Sequence, residues 1–221
     1  MNSAAALAAR YPHIVVEGPI GVGKTSLAQR LAQALGAELL LERPEDIAQL
    51  EASYREPGRY ALATQLAFLL QRMGQREWLA ERQSGRHPMT PLVGDFLFEK
   101  DGLFARFTLN ASELAIYEAL VERVKPVPAA PDLVILLEAE PEALVGRIAR
   151  RGRAGESALT CARLARLCRH YAEFFHGYDA APVLSVSTRV FNPVESDSDF
   201  DLLLERMAAM RGRRESFNLA A

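Results

Sequence analysis

Cysteine is nearly missing from this 221-residue sequence, and so is any net charge of consequence. Cys161 and Cys168 are its two cysteines, seven residues apart in a helical pattern. Two turns of helix separate them too far to bridge without distortion, and no His/Cys cluster at metal-ligand spacing accompanies them. They read as free thiols in a reducing compartment, which argues against a disulfide-stapled secreted fold. The formal net charge is −2 with 24% charged residues. No broad basic field is therefore present to attract nucleic acid or a membrane surface. No apolar run approaches the length of a membrane span. The first ten residues carry only a short apolar run with no leading positive charge, a poor signal peptide. Internal repeats, heptads and low-complexity segments are lacking as well. These absences leave a soluble, cytoplasmic, single domain over 1–221, with 1–12 expected as a loose segment and the tail at 211–221 as flexible.

What is present is an alternation of strand and helix patterns. Short β-branched or apolar runs predict strands at 13–17, 37–41, 92–94, 132–137 and 182–187. Helical spacing predicts helices at 26–35, 58–82, 111–125, 141–150, 158–175 and 198–210. Gly36 would cap the first of these helices, and a proline-bounded break at 126–131 precedes the fourth strand. The fold class that follows is α/β, a doubly wound five-stranded parallel sheet flanked by helices.

Between the first strand and first helix stands Gly18-Pro19-Ile20-Gly21-Val22-Gly23-Lys24-Thr25, a complete G-x-x-x-x-G-K-T phosphate loop. Glycines let consecutive backbone N–H groups converge on phosphate oxygens, and the helix N-terminus adds a favourable dipole. Lys24 can reach the outer phosphates, and the Thr25 hydroxyl can hold Mg²⁺. An ordinary glycine turn would not need strand, loop, Lys-Thr and helix in register. The motif specifies a nucleoside triphosphate ligand, but not the reaction. Asp95, after the third strand, suits a kinase, a switch or a motor alike.

Arg147, Arg150, Arg151 and Arg153 crowd the end of a predicted helix, with Gly152 as a hinge. Four arginines this close repel one another unless an anion neutralises them. They read as an arginine lid closing over phosphates, against the plainer alternative of a solvated basic face.

Taken together, these motifs resemble the deoxynucleoside kinase family, in its deoxyadenosine, deoxyguanosine and deoxycytidine kinase group. The residues that carry the likeness are Glu17 and the loop from Gly18 to Thr25; Tyr54, Gln65 and Arg72; Asp95, Asp101 and Phe104; and Arg147, Arg151, Arg153 and Glu156. The resemblance runs from about residue 13 to the last helix. It implies a P-loop kinase fold with an arginine lid, Mg²⁺ with ATP as phosphate donor, a deoxynucleoside acceptor and a homodimer. It also implies roles. Glu42, at a strand's C-terminal end where ligands of open α/β sheets bind, would be the general base, with Glu45 as its rival. Gln65 would read the base edge, with Arg72 on the same helix face pairing with Asp101. Phe104 would stack on the base. Tyr54 and Glu156 would hold the sugar 3′-hydroxyl, and Asp95 would join Thr25 in binding metal. The Arg72–Asp101 pair tends to go with deoxycytidine or purine deoxynucleosides. The region 189–198 matches the part of the family that covers the adenine of ATP, without singling out a residue.

One departure stands out. An arginine usually follows the acidic residue in this family, but here Asp95 is followed by Phe96 and Leu97. An aromatic with a nearby Lys-Asp, as in Lys100-Asp101, is similar to some bacterial members of the family, and whether Lys100 compensates for the arginine stays open. Two other readings stay open: a nucleoside monophosphate kinase, and a low-turnover nucleotide-binding regulatory protein. The four histidines, His13, His87, His170 and His176, show no ligand spacing and read as structural. On the helix at 111–125, Leu114, Ile116, Leu120 and Val121 suit either a dimer face or burial within the chain.

Overall fold

The computed structural model describes residues 3–82, 90–124 and 130–218. His87 lies outside the described residues. In chain order the elements are α1 (Ser3–Arg10), β1 (His13–Glu17), α2 (Lys24–Leu35), β2 (Glu38–Leu40), α3 (Leu50–Arg55), α4 (Pro57–Glu81), β3 (Leu92–Gly94), α5 (Lys100–Thr108), α6 (Ala111–Val124), β4 (Leu133–Glu138), α7 (Pro141–Arg151), α8 (Cys161–Gly177), β5 (Val183–Ser187), α9 (Asp197–Ala209) and β6 (Arg214–Phe217). All six strands run parallel in the order β2-β3-β1-β4-β5-β6.

Strand side chains alternate between two apolar layers. Ile14 and Val16 of β1, and Leu133, Ile135 and Leu137 of β4, pack with Leu27 and Leu31 of α2 and Leu203 and Met207 of α9. Val15, Val134 and Leu136 point the other way, toward Leu103 and Phe107 of α5 and Leu167, Tyr171 and Phe175 of α8. A strand buried on both faces must be apolar at every position, which is why β1 and β4 read as continuous runs. Burying an aliphatic or aromatic side chain contributes about 1.5–3 kcal/mol, so the layers hold β1 firmly at the centre of the sheet.

The sheet has six strands rather than five. β6 forms in the tail expected to be flexible, at the sheet edge beside β5. Phe217 anchors it, 7% exposed and edge-to-face with Phe191 at 5.0 Å. The guanidinium of Arg214 donates to the carbonyls of Phe175 and Tyr178. The opposite end carries an element too. α1 buries Leu7 and Ala8, and the Arg10 guanidinium donates to the Ala208 carbonyl at 2.7 Å. Among the described residues, no helix is long and apolar enough to cross a membrane.

Candidate active site

β1 ends at the phosphate loop, and the loop backbone lies too close to β4 for side chains. Gly18 has φ 146°, and a Cβ there would sit 2.4 Å from the Leu137 carbonyl oxygen. Glu17, 1% exposed, accepts from the Gly18 N–H (2.9 Å), the Leu97 N–H (2.9 Å) and the Tyr171 hydroxyl (3.1 Å). One carboxylate thus ties the loop to the segment after β3 and to α8, and its hydrogen bonds offset the cost of burial. Lys24 Nζ donates to the Gly18 carbonyl at 2.7 Å and the Pro19 carbonyl at 3.2 Å. Burial, helped by the Lys100 charge, lowers the Lys24 ammonium to about 8 against the pull of Glu17, Glu42 and Asp95.

The carboxyl ends of β2 and β3 bring the next group together. Thr25 Oγ1 donates to Asp95 Oδ2 at 2.6 Å, and the Glu42 N–H donates to Asp95 Oδ1 at 2.7 Å. Burial pushes the Asp95 carboxyl up, and these two hydrogen bonds pull it part of the way back. Glu42 Oε2 accepts from Lys100 Nζ at 2.9 Å, and Oε1 from the Arg72 guanidinium, whose other arm donates to Asp101. The result is a charge chain from Asp101 through Arg72 and Glu42 to Lys100. Burial would raise the Glu42 carboxyl, but the Lys100 and Arg72 charges outweigh it and bring it down to about 2. Glu45, the rival acid, is exposed.

α4 supplies one wall of a cleft of about 970 Å³. Gln65 and Arg72 recur at helical spacing on its cleft-facing side, and Gln65 is 5% exposed. Gln75 Nε2 donates to the Leu41 carbonyl at 3.0 Å, fixing α4 against the end of β2. Phe104 of α5 lines the opposite wall, with its ring edge-to-face to Tyr171 at 6.3 Å. Tyr54 of α3 also lines the cleft; burial first, and then the Glu156 charge, raise its hydroxyl. Glu156 accepts from Nε and Nη2 of Arg151, at 2.7–3.1 Å. Gly155 (φ 77°) lets this turn sit against α3, since a Cβ there would come within 3.1 Å of the Glu51 backbone.

The four arginines read as one cluster do not converge. Arg151 and Arg153 line the cleft. Arg147 donates to the Val22 carbonyl at 3.2 Å and to the Thr188 hydroxyl at 3.0 Å, joining the phosphate loop to the segment after β5. Arg150 is exposed. The 189–198 region lies beside the same loop: Val194 Cγ2 sits 3.5 Å from where a Cβ on Gly23 would be, and Arg30 donates to the Val194 carbonyl at 3.0 Å. Phe96 does not face the cleft; its ring is buried 5.5 Å from the Arg72 guanidinium.

Glu17, Tyr171 and Lys100 are what the sequence reading left unassigned. For Glu17 a signal existed, an acid ending an otherwise apolar strand. For Lys100 the signal was its place in the Lys100-Asp101 pair near the missing arginine, which gave it no role; for Tyr171 there was none, because a helix far along the chain delivers it. Among the described residues, no three His, Cys, Asp or Glu side chains gather as a metal cage.

The chain matches the deoxynucleoside kinase family over residues 14–210. The chain belongs to the deoxynucleoside kinase family. A deoxyguanosine kinase of Bacillus subtilis (strain 168) is 31% identical over 205 residues, covering 90% of this chain and 95% of its own. A deoxyadenosine/deoxycytidine kinase of the same organism is 26% identical over 205 residues, covering 89% and 92%. Among solved structures, deoxyadenosine kinase from M. mycoides with bound dCTP aligns with a TM-score of 0.74 at 20% identity, over 90% of this chain and 100% of that one. The shared architecture is the P-loop kinase fold. This kinase phosphorylates a nucleoside, and the monophosphate kinase and regulatory readings are not favoured.

Proposed function

We propose that this kinase moves the γ-phosphoryl group of ATP to the 5′-hydroxyl of a purine deoxynucleoside or deoxycytidine, producing the monophosphate for nucleotide salvage in the cytoplasm. The observation that carries the reading is the position of Glu42. It lines the same cleft as Lys24 and Thr25 of the phosphate loop and as Gln65, Arg72 and Phe104. A carboxylate so placed orients the attacking hydroxyl and accepts its proton. The loop and Lys24 hold the donor phosphates. Arg151 and Arg153 approach the transferring group from the end of α7.

On the acceptor side, Gln65 offers a donor and an acceptor to a base edge, the Arg72–Asp101 pair favours purine deoxynucleosides or deoxycytidine, and Phe104 supplies an aromatic face. Tyr54 and Glu156 suit the sugar 3′-hydroxyl. Thr25 Oγ1 and the Asp95 carboxylate form an all-oxygen donor set beside the loop. This fits Mg²⁺, which keeps several waters and takes one or two carboxylates plus substrate phosphates. Such an ion would neutralise charge on the phosphates. A homodimer fits the outward face of α6, where Ile116 and Leu120 are exposed while Leu114 and Val121 pack inward.

Purified protein incubated with ATP, Mg²⁺ and each of the four deoxynucleosides tests the reading. A monophosphate of deoxyadenosine, deoxyguanosine or deoxycytidine is expected. No product from any of the four overturns the proposal.

A further inference from the structure

Lys100 stands in an unfavourable place for a lysine. It opens α5, where the helix dipole disfavours a cation, and its side chain is 6% exposed. An ammonium carries three N–H donors. Among the described residues, one acceptor meets them, Glu42 Oε2 at 2.9 Å. The Phe104 ring, 5.4 Å away, covers one side without accepting a conventional hydrogen bond. Buried charged donors are normally satisfied, and Lys100 lines the same cleft as Lys24, Thr25, Asp95 and Glu42. Burial works against its charge, yet Glu42 and Glu17 hold the ammonium above the ordinary lysine range. It is a retained cation with donors to spare, at the point where donor and acceptor must meet.

Its neighbour Arg72 is a different kind of group. Arg72 is planar, engaged by Asp101 and Glu42, and lies over the rings of Phe68 and Phe96. It is fixed in place. A lysine ammonium is compact and rotatable, able to share its donors between a carboxylate and a phosphate.

We propose that Lys100 is a catalytic residue of the transfer step, its ammonium bridging Glu42 and the phosphoryl group in flight. The assignment rests on the function proposed above. The 5′-oxygen forms a bond to the γ-phosphorus, and the bond from that phosphorus to the bridging oxygen breaks with its electron pair leaving on ADP. The hydroxyl proton passes to Glu42. Lys100 keeps its own proton throughout and stabilises charge on the equatorial phosphoryl oxygens. Two lysines from different elements, Lys24 from the phosphate loop and Lys100 from α5, then bracket the reacting group.

The test is Lys100→Met, read by single-turnover transfer at saturating ATP and deoxynucleoside, by ATP affinity and by thermal melting. Loss of one preorganised donor to a transition-state oxyanion lowers kcat about 10²–10³-fold. That loss is expected here, with ATP affinity changed less than about threefold because the phosphate loop is intact. Lys100→Arg should recover part of the rate. In Lys100→Ala, added methylammonium should recover part as well, a rescue that a packing role would not show. The double variant Glu42→Gln/Lys100→Met should be slower than Glu42→Gln alone. If it is equal, Lys100 acts only by holding Glu42, and the proposal is overturned. It is also overturned if folded Lys100→Met turns over at the wild-type rate, or loses only acceptor KM. Should Lys100→Met fail to fold, the amine experiment on folded Lys100→Ala decides, and no rescue there overturns the proposal. Wild-type activity toward the four deoxynucleosides is measured alongside. Its absence would count against the function itself, whereas an active wild type with an unaffected variant counts against Lys100 alone.

Discussion

Glu42 is held by a cation on each oxygen, and this bears on the general-base role proposed for it. A carboxyl brought down to about 2 by Lys100 and Arg72 accepts a proton reluctantly but stays ionised across the working pH range. Phosphoryl transfer asks little of a strong base, because the transition state is loose and the attacking oxygen needs mainly direction. Glu42→Gln keeps the shape and one accepting oxygen while removing the charge. It should lower kcat about 10²-fold, the bottom of the usual general-base range, with ATP binding nearly unchanged. Stopped-time product assays beside nucleotide titrations check this, and an unaltered kcat would remove Glu42 from the chemistry. At this scale the placement of side chains was legible where a motif, strand end or helix face carries it: Glu42 after β2, and Gln65 and Arg72 by spacing on one helix, all line the cleft. The sequence was silent where a side chain's use depends on what packs over it. Phe96 occupies a position expected to carry charge, but it is buried against Arg72, and only the fold reveals that Lys100 reaches Glu42 from the next helix.

At the scale of elements, strands and helices with a full period were legible, because two-sided burial demands apolar strands and one-sided burial demands a helical stripe. β6 was not, since four edge residues with one buried aromatic leave little pattern. α3 and the short turn carrying Glu156 were illegible for the same reason, yet Tyr54 and Glu156 from them line the cleft. Their junction is Gly155, whose φ of 77° and approach to the Glu51 backbone leave no room for a Cβ. Gly155→Ala should add about 1–3 kcal/mol of local strain and push the turn off α3, displacing Glu156 and the Arg151 it binds. Initial rates with varied deoxynucleoside should show a raised KM and a lowered kcat, with ATP affinity preserved. Arg151→Ala should differ, losing kcat with a smaller change in acceptor KM, as the role proposed for its guanidinium at the phosphoryl group requires. If the two variants behave alike, the turn and the arginine are not separable parts of the site.

For the molecule as a whole, stability and pH meet at the entrance to the central strand. His13 begins β1, and its backbone N–H is capped by Asp132 Oδ2 at 2.7 Å, where β1 meets the start of β4. Burial lowers the imidazole to about 4 against the opposing pull of Asp132, with Arg82 adding to the burial. The folded state therefore holds this ring neutral, while the unfolded chain protonates it below its ordinary value of about 6.5. The unfolded state binds more protons between those two values, so the stabilisation is complete above about pH 6.5, falls as the pH drops toward 4, and levels off below. The ring is only partly buried, so solvent screening holds the loss to about 1–2 kcal/mol. Glu42, depressed like most paired carboxylates, begins to subtract only below its unfolded value of about 4.3, whereas Asp95, Glu99 and Glu138, raised by burial, oppose the loss as the pH falls, so the share of His13 is read by comparison with its variant. Urea denaturation at pH 7 and pH 5 should show the wild type losing stability across that interval. His13→Gln, with no proton to take up, should lose less. Equal losses in the two proteins would mean that the buried imidazole does not set the acid side of the stability profile.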